Sequence, residues 1–128
     1  VCSGLVRICH IMNGIHLPRN ASQQVKCGER IEIPLEARDD NEGAAHGDRT
    51  EGLKEDMTRR ISNLQRGDLV FFGTPANDER PIRITHVGIY LGNSRIIHSS
   101  HRVRINSLIP GDPDYYENAH RLVAAIRL

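Results

Sequence analysis

Ile84-Thr85-His86-Val87-Gly88-Ile89-Tyr90-Leu91-Gly92-Asn93-Ser94-Arg95-Ile96-Ile97-His98-Ser99-Ser100 holds two apolar segments joined by turn residues. The alternation in the first segment marks a strand whose successive side chains point to opposite faces. His86, Gly88 and Tyr90 share one face, and Val87, Ile89 and Leu91 share the other. A three-residue loop, Gly92 to Ser94, pairs Leu91 with Arg95 and sets His98 opposite Gly88 and Ser100 opposite His86. His98 then becomes the diagonal neighbour of His86, at roughly 7–8 Å between backbones, a span that two imidazole side chains can close. Gly88 leaves room for the ring across from it. A two-residue loop would slip the pairing by one residue and send one histidine to the wrong face.

Further β-like segments surround this hairpin: Asp68 to Phe72, Arg102 to Ile105 and Arg121 to Leu128, separated by Gly, Pro and Asn. The N-terminal part reads differently. Leu5, Ile8, Cys9 and Met12 recur at helical spacing before Gly14, which predicts a helix beginning near Cys2 with that stripe in the core. Asn20 suits the cap of a short helix over Ala21 to Lys26, ended by Gly28, and Ile31 to Leu35 alternates as a brief strand. Between Glu36 and Arg60, 13 of 25 residues are charged and three glycines intervene. This stretch reads as a surface insertion outside the core, with a helix of roughly two turns from Gly52 to Ile61. Helices first and strands later is the α+β pattern.

A chain of 128 residues, 38% of them hydrophobic, suits one compact domain over residues 1–128. Lys and Arg number 17 against 16 Asp and Glu, and their scattered placement gives no electrostatic reason for a nucleic-acid partner. No run approaches a membrane span and no stretch reads as a signal peptide, yet residue 1 is Val, so a processed or excised piece is expected.

Cys2, Cys9 and Cys27 cannot all pair within one chain, and none lies at zinc-ligand spacing, so no metal and no cofactor is expected. Cys2 falls at the mouth of the first helix, where free N–H groups and the positive dipole end favour a thiolate. The competing reading is a small buried cysteine, which suits Cys9 within its apolar stripe and Cys27 beside a helix end. A nucleophilic thiol needs a proton acceptor held by a third group. His86 and His98 interrupt apolar strands on a shared face and fit that need, although each taken singly also fits a structural strand position. His10, His16, His46, His101 and His120 lie in helix, loop or terminal contexts, and all five read as solvent-exposed.

Five pieces in order resemble the NlpC family of cell-wall cysteine peptidases, a reduced relative of the papain fold. They are Cys2-Ser3-Gly4-Leu5-Val6; Leu17-Pro18-Arg19 with Ala21-Ser22-Gln23-Gln24; Gly67-Asp68-Leu69-Val70-Phe71-Phe72; Thr85 to Gly92; and Ile97-His98-Ser99-Ser100. The resemblance implies an α+β papain-like domain, with a nucleophile-bearing helix on an antiparallel sheet of about five strands. It implies a cysteine endopeptidase of the extracellular or periplasmic cell envelope, acting on peptidoglycan stem peptides, often at the bond between D-glutamate and a diamino acid. Cys2 is then the nucleophile, His86 its base and His98 the group that orients the base. Ser3 and Ser22 become substrate-binding candidates, with helix capping as the equal alternative.

Three departures accompany the resemblance. The aromatic, glycine-rich segment and helix that usually precede the nucleophile are expected from an upstream part of the parent protein. Val1 replaces the usual Asp, so no carboxylate there can pair with a substrate ammonium group. The charged stretch 36–60 replaces a short link. An acyltransferase or amidase with the same dyad, or a catalytically inactive wall-binding module, are the competing readings.

Overall fold

Leu69-Val70-Phe71-Phe72 is buried at every position, because the strand that carries it runs through the middle of a sheet covered on both faces. The computed structural model describes residues 2–33, 49–100 and 102–128. Helix α1 spans Cys2–Ile11 and helix α2 Ala21–Gln24; strand β1 is Glu29–Arg30 and helix α3 Arg49–Arg60. There follow β2 (Leu69–Thr74), β3 (Arg83–Gly92), β4 (Arg95–Ser100), β5 (Arg102–Ser107), a 3-10 turn at Ala119–Arg121 and β6 (Leu122–Arg127). The strands form one sheet in the order β1-β6-β2-β3-β4-β5, and every neighbouring pair is antiparallel. This is the expected α+β architecture, an N-terminal helix against an antiparallel sheet. The early strand is two residues long and precedes the expected Ile31–Leu35 stretch; Ile31 N–H still donates to the Ala125 carbonyl at 2.8 Å, and 34–35 lie outside the described residues.

Alternation along β2 divides the core in two. Leu69 and Phe71 join Val6, Leu17, Val25, Val87, Ala124 and Ile126 under α1 and α2. Val70 and Phe72 face the opposite way, toward Met57, Ile61, Tyr90, Ile96 and Leu122. Asp68, almost fully buried, accepts two bonds from Arg127, Nε at 2.8 Å and a terminal guanidinium nitrogen at 2.7 Å, which ties the start of β2 to the end of β6.

Two expectations are corrected. The stripe Leu5, Ile8, Cys9 and Met12 does not face the core: α1 buries Ser3 and Val6, while Ile8 is 59% and Met12 79% exposed. Helical spacing identifies an apolar face but not which layer lies against it, and in this chain the sheet packs against the Val6 side. The charged stretch is likewise not wholly outside the core. Residues 36–48 fall outside the described ones, but α3 starts at Arg49 and turns Met57, 2% exposed, into the cluster that Ile61 joins one turn later. A Met and an Ile four apart are enough to anchor one side of a helix whose other sides are charged.

Glycines 73 and 52 make opposite predictions. A Cβ on Gly73 would collide with the Arg83 carbonyl oxygen across the β2–β3 bulge, whereas one on Gly52 in α3 meets nothing within 4 Å. Gly73→Ala should lose about 1–3 kcal/mol in urea denaturation, and Gly52→Ala should gain up to about 1 kcal/mol. Similar midpoints for the two variants would contradict this packing.

Candidate active site

The β3–β4 hairpin brings His86 and His98 together by a route other than the expected loop. Its turn has two residues, Asn93 (φ 52°) and Ser94 (φ 65°), and pairs Gly92 with Arg95. Both positive φ angles match the mirror-image turn that suits strand twist. A bulge at Leu91 absorbs the extra residue, so Tyr90 faces Ile96 and Gly88 faces His98, as the longer loop would have had it. The two-residue turn is therefore compatible with the shared face, because the bulge cancels its one-residue slip. Gly88 eases that pairing: an added Cβ would approach His98 Cβ and the Ile97 carbonyl oxygen to 3.2 Å, a tight contact.

His86 Nε2 lies 2.8 Å from His98 Nδ1, with the ring planes at 83°. His98, 1% exposed, continues through Nε2 to Asn106 Oδ1 at 2.7 Å. Asn106 Nδ2 in turn donates to the Asp114 carbonyl at 3.0 Å, and the Asp114 carboxylate pairs with Arg95. Tyr116 closes the group from the side, with its ring centroid 5.7 Å from that of His86 and 4.8 Å from that of His98; Phe72 lies against His86 at 5.9 Å. Burial lowers His86 to a pKa of about 4, with the charge of His98 adding to the effect. Burial also lowers His98; the bond to Asn106 opposes the shift and Arg104 adds to it. Both rings are thus neutral at pH 7.

Cys2 begins α1, which packs against β3 and β4. Its thiol is half-buried, unpaired, and hydrogen-bonded to neither histidine among the described residues. Burial raises the pKa of the Tyr116 phenol, with the side-chain bond to Asn118 opposing the shift. The first turn of α1 is held by Gln24, fully buried, whose Nε2 donates to the Ser3 carbonyl at 3.2 Å and the Pro18 carbonyl at 2.8 Å. Ser3 is 7% exposed, and Ser22 is exposed on α2; neither caps a helix, since Asn20 caps α2 and α1 starts at Cys2.

Cys9 and Cys27 are free thiols at half-buried positions, Cys27 donating to the Gln23 carbonyl at 3.8 Å. His10 departs from the exposed reading, because its Nδ1 lies 2.8 Å from the Val6 carbonyl. His16 and His120 are exposed; His46 and His101 fall outside the described residues. A cavity of about 310 Å³ lined by Arg60, Thr74, Arg121 and Leu122 includes none of the candidate site residues.

Three site residues were missed from sequence: Asn106, Tyr116 and Gln24. Asn is disfavoured in strands, so Asn106 within Arg102-Val103-Arg104-Ile105-Asn106 carried a weak signal. Tyr116 belongs to a tyrosine pair in a Gly/Asp/Pro-rich loop, in a chain with only 4% aromatic residues. Gln24 carried no signal that separates it from Gln23.

The sequence profile of the NlpC/P60 family matches residues 2–121. A gamma-D-glutamyl-L-lysine dipeptidyl-peptidase of Bacillus cereus is 28% identical over 117 residues, which cover 91% of this chain and 26% of that protein. A solved NlpC/P60 family protein from Bacillus cereus superposes with a TM-score of 0.60 at 26% identity, covering 98% of this chain and 30% of its own. RipD of Mycobacterium tuberculosis, described as a non-catalytic NlpC/p60 domain protein adapted to peptidoglycan binding, shares the fold with a TM-score of 0.52 at 20% identity, covering 99% and 65% of the two chains. The present chain thus spans roughly a quarter to a third of the two Bacillus cereus proteins it matches.

The depressed histidine values set a pH dependence of stability. A histidine ordinarily near 6.5 in the unfolded chain binds its proton there before the folded chain does, so stability is complete above 6.5 and declines as pH falls toward the folded value of about 4. Urea midpoints at pH 7 and pH 5 should therefore differ more for the wild type than for His86→Gln. An equal drop in both would place the acid sensitivity elsewhere.

Proposed function

Because this chain belongs to the NlpC/P60 family, we propose that it is a cysteine peptidase that hydrolyses peptidoglycan stem peptides in the extracellular or periplasmic cell envelope. The observation that carries this reading is the 2.8 Å contact between half-buried His86 and buried His98, both neutral, on the sheet against which the cysteine-bearing helix packs. Family membership supports hydrolase chemistry; the roles of Cys2, His86 and His98 follow the family resemblance, and the His86–His98 contact supports the two histidine roles.

In the proposed reaction the Cys2 thiol loses its proton to His86 and its sulfur attacks the carbonyl carbon of the scissile bond. His86 returns that proton to the leaving amine as the C–N bond breaks. Water, activated by His86, then cleaves the thioester and restores the thiol. The developing oxyanion is held by the backbone N–H of Cys2 at the start of α1. His98 keeps the His86 ring in place through Nδ1. By analogy with the dipeptidyl-peptidase relative, the bond favoured is that between a γ-linked D-glutamyl residue and a diamino acid. Of the two serine candidates for substrate binding, Ser22 is exposed and Ser3 is buried in the packing of α1.

A second reading has one observation in its favour. The Cys2 thiol forms no hydrogen bond with His86, as a module that binds wall peptides without cleaving them would allow. Digestion of purified peptidoglycan, with mass spectrometry of the released fragments, separates the two.

Cys2→Ala should abolish release of fragments while leaving the circular dichroism spectrum unchanged. His98→Gln should retain more activity than His86→Gln, since orientation is partly replaceable and proton transfer is not. Fragments released by Cys2→Ala would end the nucleophile assignment, and intact wall after treatment with wild type would favour the binding module.

A further inference from the structure

Asn106 lies beyond both histidines, on β5, and its side-chain amide has only one orientation compatible with its neighbours. Asp114 presents a backbone carbonyl, which can only accept, so the group 3.0 Å from it is the Asn106 NH2. The Asn106 oxygen is therefore the atom facing His98 Nε2 at 2.7 Å, and an amide oxygen can only accept as well. His98 Nε2 consequently carries a hydrogen. In a neutral imidazole its Nδ1 is then a bare acceptor, and the group 2.8 Å from it, His86 Nε2, must be the donor. That leaves His86 Nδ1 as the free lone pair of the pair. A proton order thus runs outward from a main-chain carbonyl through one amide and two rings.

We infer that Asn106 is a positioning residue which, held by the Asp114 carbonyl, dictates the tautomer of His98 and through it that of His86. The source of the order is well anchored: the Asp114 carbonyl also accepts the Ser107 N–H at 2.9 Å, and its carboxylate pairs with Arg95 at the start of β4. Ser107, next to Asn106 and fully buried, donates its hydroxyl to Asp112 at 2.6 Å and accepts the Ile109 N–H at 3.0 Å. The loop that supplies the carbonyl is thereby bonded to the strand that supplies the amide. The catalytic consequence rests on the cysteine-peptidase reading, in which the lone pair on His86 Nδ1 receives the Cys2 proton; the tautomer order itself does not.

Nitrogen-15 spectra of the imidazole rings in the purified chain test the order directly. Wild type should show Nε2 protonated and Nδ1 bare on both His86 and His98 at neutral pH. Asn106→Ala removes the acceptor that selects the His98 tautomer, so both rings should show mixed tautomers. On a wall peptide its kcat should fall about 10–100-fold, by analogy with loss of the hydrogen bond behind a metal-bound histidine, with KM little changed. Asn106→Thr, whose β-branched side chain suits a strand but whose hydroxyl can donate as well as accept, should show the same mixing. Protonated Nδ1 on His86 in the wild type would overturn the proposal, as would unmixed wild-type tautomers in either variant. The spectra decide this whether or not the chain cleaves wall peptides, so inactivity would count against the function and not against Asn106.

Discussion

The register of the β3–β4 hairpin is the constraint on which the candidate site depends. Side chains on a strand change face with every residue, so His86 and His98 meet only if the pairing places both on one side. The tight turn at Asn93-Ser94 would by itself shift that pairing by one position. The bulged Leu91 restores it, and Tyr90, just before the bulge, secures the turn by accepting the Ser94 N–H at its hydroxyl at 3.0 Å. Gly88 then leaves the space beside His98 Cβ into which a side chain would press. A bulge beside a functional site is a common means of aiming side chains, and here it corrects a turn rather than bending a strand away.

Burial decides the chemistry of what the register assembles. Desolvation lowers both His86 and His98, the charges of His98 and Arg104 act in the same direction, and the Asn106 bond to His98 only partly opposes it, so both stay neutral. Neutrality is what allows a directional chain, because each neutral imidazole has one donor and one acceptor, whereas a charged ring would donate from both nitrogens. Phe72 and Tyr116 supply much of that dry surrounding. One connected arrangement thus runs from Arg95 and Asp114 through Asn106 to the two histidines, and α1, which begins at Cys2, packs on the Val87 side of the same strands.

The sheet serves two cores: α1 with Cys2 packs on one face, and His86 lies with Phe72 and Tyr116 on the other. Val6, Leu17 and Val25 press α1 and α2 onto the Leu69, Phe71 and Val87 face. Val70, Phe72 and Tyr90 face α3 and the segment after β5, which is where the histidine support originates. Gln24 of α2 donates both to the Ser3 carbonyl at the start of α1 and to the Pro18 carbonyl before α2, polar bonds in an otherwise apolar region. Such a bond fixes the position of the first helical turn more sharply than apolar packing does, because hydrogen bonds are directional and dispersion contacts are not.

Alternation and turn residues were sufficient to read the strands from Asp68 onward, since a period of two is visible in any single stretch of chain. They also sufficed to set His98 opposite Gly88 and so on the face of His86. The means differed, because whether a turn has two or three residues depends on backbone angles at Asn93 and Ser94 that residue types only bias. The buried side of α1 was misread for a related reason: Ile8 and Met12 form a genuine apolar stripe, but only the packed sheet determines that Ser3 and Val6 face inward. Met57 was overlooked because the charged residues around it dominate the stretch, although it follows Leu53 and precedes Ile61 by four residues each, a helical spacing. Asn106, Tyr116 and Gln24 are separated in sequence from the residues they support. Local pattern therefore determined the strands and the paired histidines of this protein, and tertiary structure alone decided which face is buried and what stands behind each catalytic candidate. The physical reason is range: side-chain periodicity is a property of adjacent residues, whereas burial and hydrogen-bond partners are properties of chain segments that meet only on folding.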